Sequence, residues 1–207
     1  EYDFAQVGEA NEGAFKDTYM SANNIPYIGT VRVGHYKEFG SLDELTSDND
    51  TLFIERGLPN VFAPSRNDGI SIMNVYFGNR MTTALGVFRD TNTIGQSSGD
   101  DNYAVTGRIT GLPYYYAVKN ARVDKLQLVH LGLWSSFRAN NLTSLTFAQR
   151  PENHLAPKYL TTFNQIASVN SQVLFGAEVG TIYGPWSAQA EYILDSVDRG
   201  GGSDNVM

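Results

Sequence analysis

The chain has 207 residues, with 15 Lys+Arg against 22 Asp+Glu, a formal net charge of -7 and 18% charged residues. That acidic balance excludes a general nucleic-acid binder, which needs a basic face for phosphates. The absence of cysteine excludes disulfides, thiolate metal sites and cysteine nucleophiles, and no run of ~18 apolar residues supplies a transmembrane helix.

Glycine (20 residues), Tyr (12) and Phe (11) are plentiful, which suits strands joined by turns. In chain order, short strands are predicted over Tyr2–Ala5 and Phe15–Ser21. Val31 and Val33 then alternate with Thr30, Arg32 and Gly34, a period of two. Ser41-Leu42-Asp43-Glu44 is a capping-box pattern with an acidic first turn, so a short helix is expected over Leu42–Ser47. A second helical turn is expected at Leu52–Arg56, stopped by Gly57 and Pro59. The stretch Lys37–Asn67 is thus a long excursion between strands, and such excursions are usually functional.

Ile70–Phe77 and Met81–Arg89 read as strands joined at Gly78-Asn79. Ser97–Asp101 reads as a loop tip. Tyr103, Val105 and Ile109 alternate with Ala104, Thr106, Arg108 and Thr110. Leu131, Leu133 and Phe137 alternate with His130, Gly132, Trp134, Ser136 and Arg138, and Leu142–Arg150 reads as a further strand. Phe175, Ala177, Val179, Thr181 and Tyr183 face away from Gly176, Glu178 and Gly180. Gly184-Pro185 turns the chain into Trp186–Leu194, whose Ser187, Gln189 and Glu191 form the polar side. Gly200–Asp204 reads as another loop tip. The pattern sums to about ten strands and an all-β fold.

Alternation alone leaves two architectures open, a soluble β-sandwich that binds carbohydrate and a membrane β-barrel. The apolar faces use Tyr, Ala, Val, Phe and Trp. The opposite faces use Gly, Ser, Thr, Gln and single charges. Tyr27, Tyr114, Tyr115, Tyr116, Tyr183 and Trp186 gather at strand ends, as in the aromatic girdles of outer-membrane barrels. On the barrel reading Tyr103, Val105, Phe175, Val179, Trp186 and Tyr192 face lipid, and Arg108, Glu178, Gln189 and Glu191 face the lumen.

No catalytic constellation is present. His35, His130 and His154 lack metal-ligand spacing, and no nucleophile elbow, phosphate loop or dinucleotide fingerprint occurs. No metal or cofactor is therefore expected. Glu178 and Glu191, on neighbouring strands, read as two lumen-facing acids rather than a catalytic pair.

The stretch from Val31-Arg32-Val33-Gly34-His35-Tyr36-Lys37-Glu38 through Phe53-Ile54-Glu55-Arg56-Gly57-Leu58-Pro59-Asn60 to Phe62-Ala63-Pro64-Ser65-Arg66-Asn67 resembles the phosphate-selective porin O and P family. Further matches follow in the family's order. They are Gly86-Val87-Phe88-Arg89, Tyr103–Arg108, His130–Leu133, Arg150-Pro151-Glu152-Asn153-His154-Leu155-Ala156-Pro157 and Tyr183–Tyr192.

The resemblance implies a bacterial outer-membrane porin: a transmembrane antiparallel β-barrel of sixteen strands, assembled as a homotrimer in outer-membrane lipid. It passes small hydrophilic solutes, including anions such as phosphate. Residues 1–207 are then an internal part of one barrel domain in a longer protein, and 37–67 is an inward-folded constriction loop. The resemblance places Arg56, Glu55, Asp17 and Lys37 at the constriction. Arg32, Arg108, Arg138, Arg150, Glu178 and Glu191 line the pore. Thr146 and Ala148 stand where members of the family carry arginines, with only Arg150 keeping the charge. The sequence therefore points to a general pore with modest ion preference.

Overall fold

The computed structural model describes residues 2–3, 14–47, 49–51, 53, 55–91, 98–117, 126–149, 157–158, 160–161 and 166–200. Eight strands form one antiparallel sheet: β1 (Thr18–Ile25), β2 (Gly29–Lys37), β3 (Arg66–Tyr76), β4 (Met81–Thr91), β5 (Ser98–Tyr116), β6 (Gln127–Leu145), β7 (Ile166–Tyr183) and β8 (Trp186–Arg199). Each pairs with the next in sequence, so the sheet is an up-and-down meander with β1 and β8 at its edges. Two further ladders of two residues each pair Tyr2–Asp3 with Ala14–Phe15 and Ala148–Gln149 with Leu160–Thr161.

The strand count therefore differs from the ten expected. Of Tyr2–Ala5, Tyr2 and Asp3 are described and form a two-residue ladder, while Phe4 and Ala5 lie outside the described residues; Leu142–Leu145 continues β6. Ser98–Asp101 is not a loop tip. It begins β5, because Ser98 pairs with Thr91 across the ladder. All eight strands lie in a single layer rather than two facing sheets.

The period of two is set by the pleat, which sends successive side chains to opposite faces. In register, Met20, Val33, Ile70, Val87, Val105, Phe137 and Val173 lie opposite one another from β1 to β7. Every one of them is exposed. The other face is polar or packed. It carries Ser71, Thr106, Ser136, Arg138 and Glu178 together with Phe88, Trp134 and Leu174, all buried.

The connections are asymmetric. Tight turns at 26–28, 77–80 and 184–185 close one end of the sheet, and residues 38–65 emerge at the other. The β3–β4 turn holds Phe77, Gly78 and Asn79 at positive φ (53°, 63° and 68°), and Gly184 takes φ 59° between β7 and β8. Both turns stand where Gly78-Asn79 and Gly184-Pro185 signalled them. Tyr27, Phe77, Tyr114, Tyr115, Tyr116, Tyr183 and Trp186 are exposed around this short-turn end.

The loop that follows β2 packs on the polar face through Phe39 and Ser41–Asp43. Ser41 follows the end of β2 by four residues, yet its hydroxyl donates to Glu191 of β8 at 3.0 Å. On a flat sheet six strand spacings of ~4.8 Å would separate β2 from β8 by roughly 29 Å. Four extended residues reach only about 14 Å. The sheet therefore curls around the loop, and the polar face is concave.

Aromatic packing fills the space beneath the loop. Tyr36 of β2, Phe88 of β4 and Phe39 of the loop form a cluster with ring centroids 5.5, 5.9 and 6.3 Å apart. Glycines clear the floor. A Cβ on Gly69 or Gly86 would meet the Phe88 ring, and one on Gly176 would overlap the Trp134 indole. Gly176→Ala is accordingly expected to cost about 1–3 kcal/mol by overpacking. Thermal unfolding in detergent checks this, and an unchanged midpoint contradicts the seating of Trp134 on β7.

Candidate functional site

The loop is bound to the wall at its root, its middle and its first helical turn. At the root, the Glu38 backbone N–H donates to the Ser65 carbonyl at 3.0 Å, clasping the two ends together. The Glu38 carboxylate is fully buried. It accepts from Asn67 Nδ2 at 2.6 Å, Thr106 Oγ1 at 2.5 Å and an Arg138 guanidinium N–H at 3.0 Å. Arg138 also pairs with Asp90. A buried carboxylate persists only when paired and hydrogen-bonded, and three strands supply those partners here.

In the middle, Glu44 gathers four groups. Asn60 Nδ2 and Ser65 Oγ donate to it at 3.0 and 3.1 Å, while Lys37 Nζ and Arg56 Nε stand at 3.4 and 3.5 Å. Arg56 also donates to the carbonyls of Asp43 and Thr46, both at 3.0 Å. The Gly57 N–H donates to Asp43 Oδ2 at 3.1 Å. These bonds fold the loop back on itself.

The helix is α1 (Leu42–Leu45), one turn long. Ser41 is its N-cap, accepting from the Glu44 N–H at 3.1 Å as the capping box requires. It does so at φ 58°, an uncommon conformation for a residue with a side chain. Glu191 of β8 completes the cap from outside: the N–H groups of Leu42 and Asp43 donate to it at 3.0 and 3.4 Å. The negative charge sits where helix N–H groups have no internal partner. Of the helical turn expected at Leu52–Arg56, the described residues Phe53, Glu55 and Arg56 are not helical. Pro59 instead lies in the first turn of a 3-10 helix over Leu58–Phe62, where its missing N–H costs nothing. Leu52 and Ile54, inside the expected turn, lie outside the described residues.

Beneath α1, Arg108 donates to the Ser41 carbonyl at 3.4 Å and pairs with Glu178 at 2.5 Å. His130 Nε2 lies 2.8 Å from the same Glu178 oxygen. At the β1 side, Arg66 forms a fork with Asp17 at 3.2 and 3.1 Å. Arg32 of β2 lies over the Tyr19 ring, 4.0 Å from its centroid, with Tyr36 at 5.4 Å. Its Nε donates to Ser21 at 3.3 Å.

The residues singled out from sequence thus fall into four groups. Lys37 and Arg56 meet at Glu44, while Glu55 is half-buried in the same loop. Arg108, Glu178 and Glu191 support α1 from below, and Arg138 holds the root of the loop. Asp17 and Arg32 stand on the wall beside β1 and β2, Asp17 as the partner of Arg66. Arg150 lies outside the described residues. Sequence reasoning missed Glu38 and Arg66, and saw Glu44 only as part of the cap. The available signal was an acid lodged between aromatics, Tyr36 and Phe39, where a solvated charge is out of place.

Removing the root carboxylate tests this network. Glu38→Ala removes one acceptor from each of Arg138, Asn67 and Thr106, which keep Asp90, Asp90 and Ser136 as partners, and is expected to cost about 1–3 kcal/mol. Thermal unfolding and tryptic cleavage after Lys37 and Arg56 should both register the loosened loop. Unchanged stability and protection would contradict its role.

The comparisons agree with this geometry. The family described as phosphate-selective porin O and P matches residues 1–206. An uncharacterized protein of Caulobacter vibrioides is 28% identical over 197 residues, covering 88% of this chain and 37% of that protein. The chain thus spans a little over a third of the length of that relative. A concave antiparallel sheet with exposed apolar residues outside and a loop bonded to its polar face is the setting in which the match is found. The chain belongs to the phosphate-selective porin O and P family.

Proposed function

We propose that the chain is part of a bacterial outer-membrane porin through which small hydrophilic solutes diffuse passively. The observation that carries this reading is the division of one curled sheet into an exposed apolar face and a concave polar face with a loop bonded across it. In hydrocarbon every backbone polar group must be paired internally, and paired strands achieve this without any long helix. The aromatic residues at the short-turn end suit a membrane–water interface.

On this reading residues 37–67 narrow the passage, and Asp17, Lys37, Glu55 and Arg56 stand at its constriction. Arg32, Arg108, Arg138, Glu178 and Glu191 belong to the lumen wall, as does Arg150. Further strands outside this chain close the barrel, and three copies associate. The family passes solutes rather than transforming them, so the residues act by shape and field.

Selectivity follows from pairing. Lys37, Arg56, Arg66, Arg108 and Arg138 each have a carboxylate partner. Paired charges present a weak field to a passing ion, and the positions of Thr146 and Ala148 add none. We therefore read the pore as general, with a modest preference for anions.

The full-length protein is expected to form stable conducting steps in planar bilayers. Its reversal potential across a salt gradient should show a small anion preference that shrinks as salt screens the lumen. Absence of steps contradicts the pore, and micromolar phosphate block of the chloride current contradicts its general character. The facing of the sheet has its own test. Val105→Arg puts a charge on the apolar face at an expected cost of ~2–4 kcal/mol, read as impaired assembly into the outer membrane. Normal assembly and stability would reverse the faces.

A further inference from the structure

On the concave face Arg32 differs from its neighbours. Lys37, Arg56, Arg66, Arg108 and Arg138 are each in an ion pair. Among the described residues Arg32 is in none: its contacts are the Ser21 hydroxyl and the faces of Tyr19 and Tyr36. The Tyr19 ring is the nearer of the two, with its centroid 4.0 Å from the guanidinium carbon. The Arg32 Nε is taken by Ser21, which leaves the outer pair of N–H groups aligned for a planar anion.

The guanidinium borders a cleft of about 490 Å³ lined by Asp17, Lys37, Tyr19 and Leu45, with the buried Tyr36 and Phe39 at its base. That volume lies in the range of small-molecule sites. The two remaining charges at the cleft are already paired, Asp17 with Arg66 and Lys37 with Glu44. Among the described residues a positive charge without a carboxylate partner therefore faces a mixed lining, whose apolar side is Tyr19 and Leu45. Phosphate, small and multiply charged, would find one fork donor and a neighbouring Asp17 carboxylate. A singly charged acid with a flat apolar body matches both the charge and the apolar side.

We infer that this cleft is a binding subsite for small aromatic monocarboxylates, with Arg32 receiving the carboxylate and Tyr19 and Leu45 flanking the ring. The inference rests on the pore reading for its transport role, since a weak subsite beside a constriction concentrates the solute that passes.

The experiment uses the full-length protein, with benzoate, acetate and inorganic phosphate as probes. Two measurements are made: block of chloride current in planar bilayers, and calorimetric binding to the protein in detergent. Benzoate is expected to bind and block at a concentration roughly tenfold below acetate or phosphate, a ratio equivalent to about 1.4 kcal/mol. Arg32→Gln should raise the benzoate concentration for half-effect by about tenfold or more, the scale of one charge-assisted hydrogen bond. Tyr19→Leu keeps the charge and should erase most of the difference between benzoate and acetate. Equal affinity for benzoate and acetate, stronger binding of phosphate, or benzoate binding unchanged in Arg32→Gln would overturn the subsite. A wild type that binds benzoate in detergent but carries no current would overturn the pore reading and leave the subsite standing.

Discussion

One carboxylate on the last strand governs the form of this structure. Glu191 accepts from the Ser41 hydroxyl and from the first two N–H groups of α1, although Ser41 leaves the sheet only four residues after β2. The contact spans 150 positions in sequence. It can form only if the sheet curls enough to bring its eighth strand over the loop that follows its second. The loop and the curvature are therefore one feature. Hydrogen bonds to a charged acceptor contribute about 1.5–3 kcal/mol each, so this cap is strong enough to hold a one-turn helix that has no stability of its own.

The remaining contacts extend the same logic. Glu38 fixes where the loop leaves the wall, and Glu44 fixes how it folds back. Glu178 and Arg108 support the helix from beneath. Buried pairs of this kind are weak sources of net stability, because desolvation offsets the attraction. Their effect is on geometry: each carboxylate has a definite set of donors, and a loop displaced by a few ångströms would strand several charges at once. The pairing also quiets the field of the concave face. Where it is incomplete among the described residues, at Arg32, the cation lies against the Tyr19 ring.

The strands were readable because the pleat imposes a period of two on any sheet with one apolar face. Val105 and Phe137 sort to one face, and Arg108 and Arg138 to the other, from spacing alone. Ser41 and Glu44 likewise announced the helix start through a local motif. The partners of those residues were not readable. Glu191 looked like an ordinary polar-face acid, since its donors come from a distant loop. Glu38 looked like a loop charge, since Asn67, Thr106 and Arg138 converge on it from three separate strands. Pro59 misled for a related reason: it stops an α-helix but starts the 3-10 turn that follows. Period and local motif reach the elements, while long-range pairing decides what the charged side chains do.

The central claim is that residues 38–65 lie across the concave wall of a membrane pore, against β8. These 207 residues contain no cysteine, so a Ser41→Cys/Glu191→Cys pair puts one thiol on the loop and one on β8. The direct measurement is cross-linking of this pair by a short bis-maleimide in intact outer membranes carrying the full-length protein. The account predicts an efficient cross-link within one chain, seen as a mobility change on denaturing gels and absent from either single variant. Single cysteines that label freely in a double variant that never cross-links would show the loop standing away from the wall, and would contradict the account.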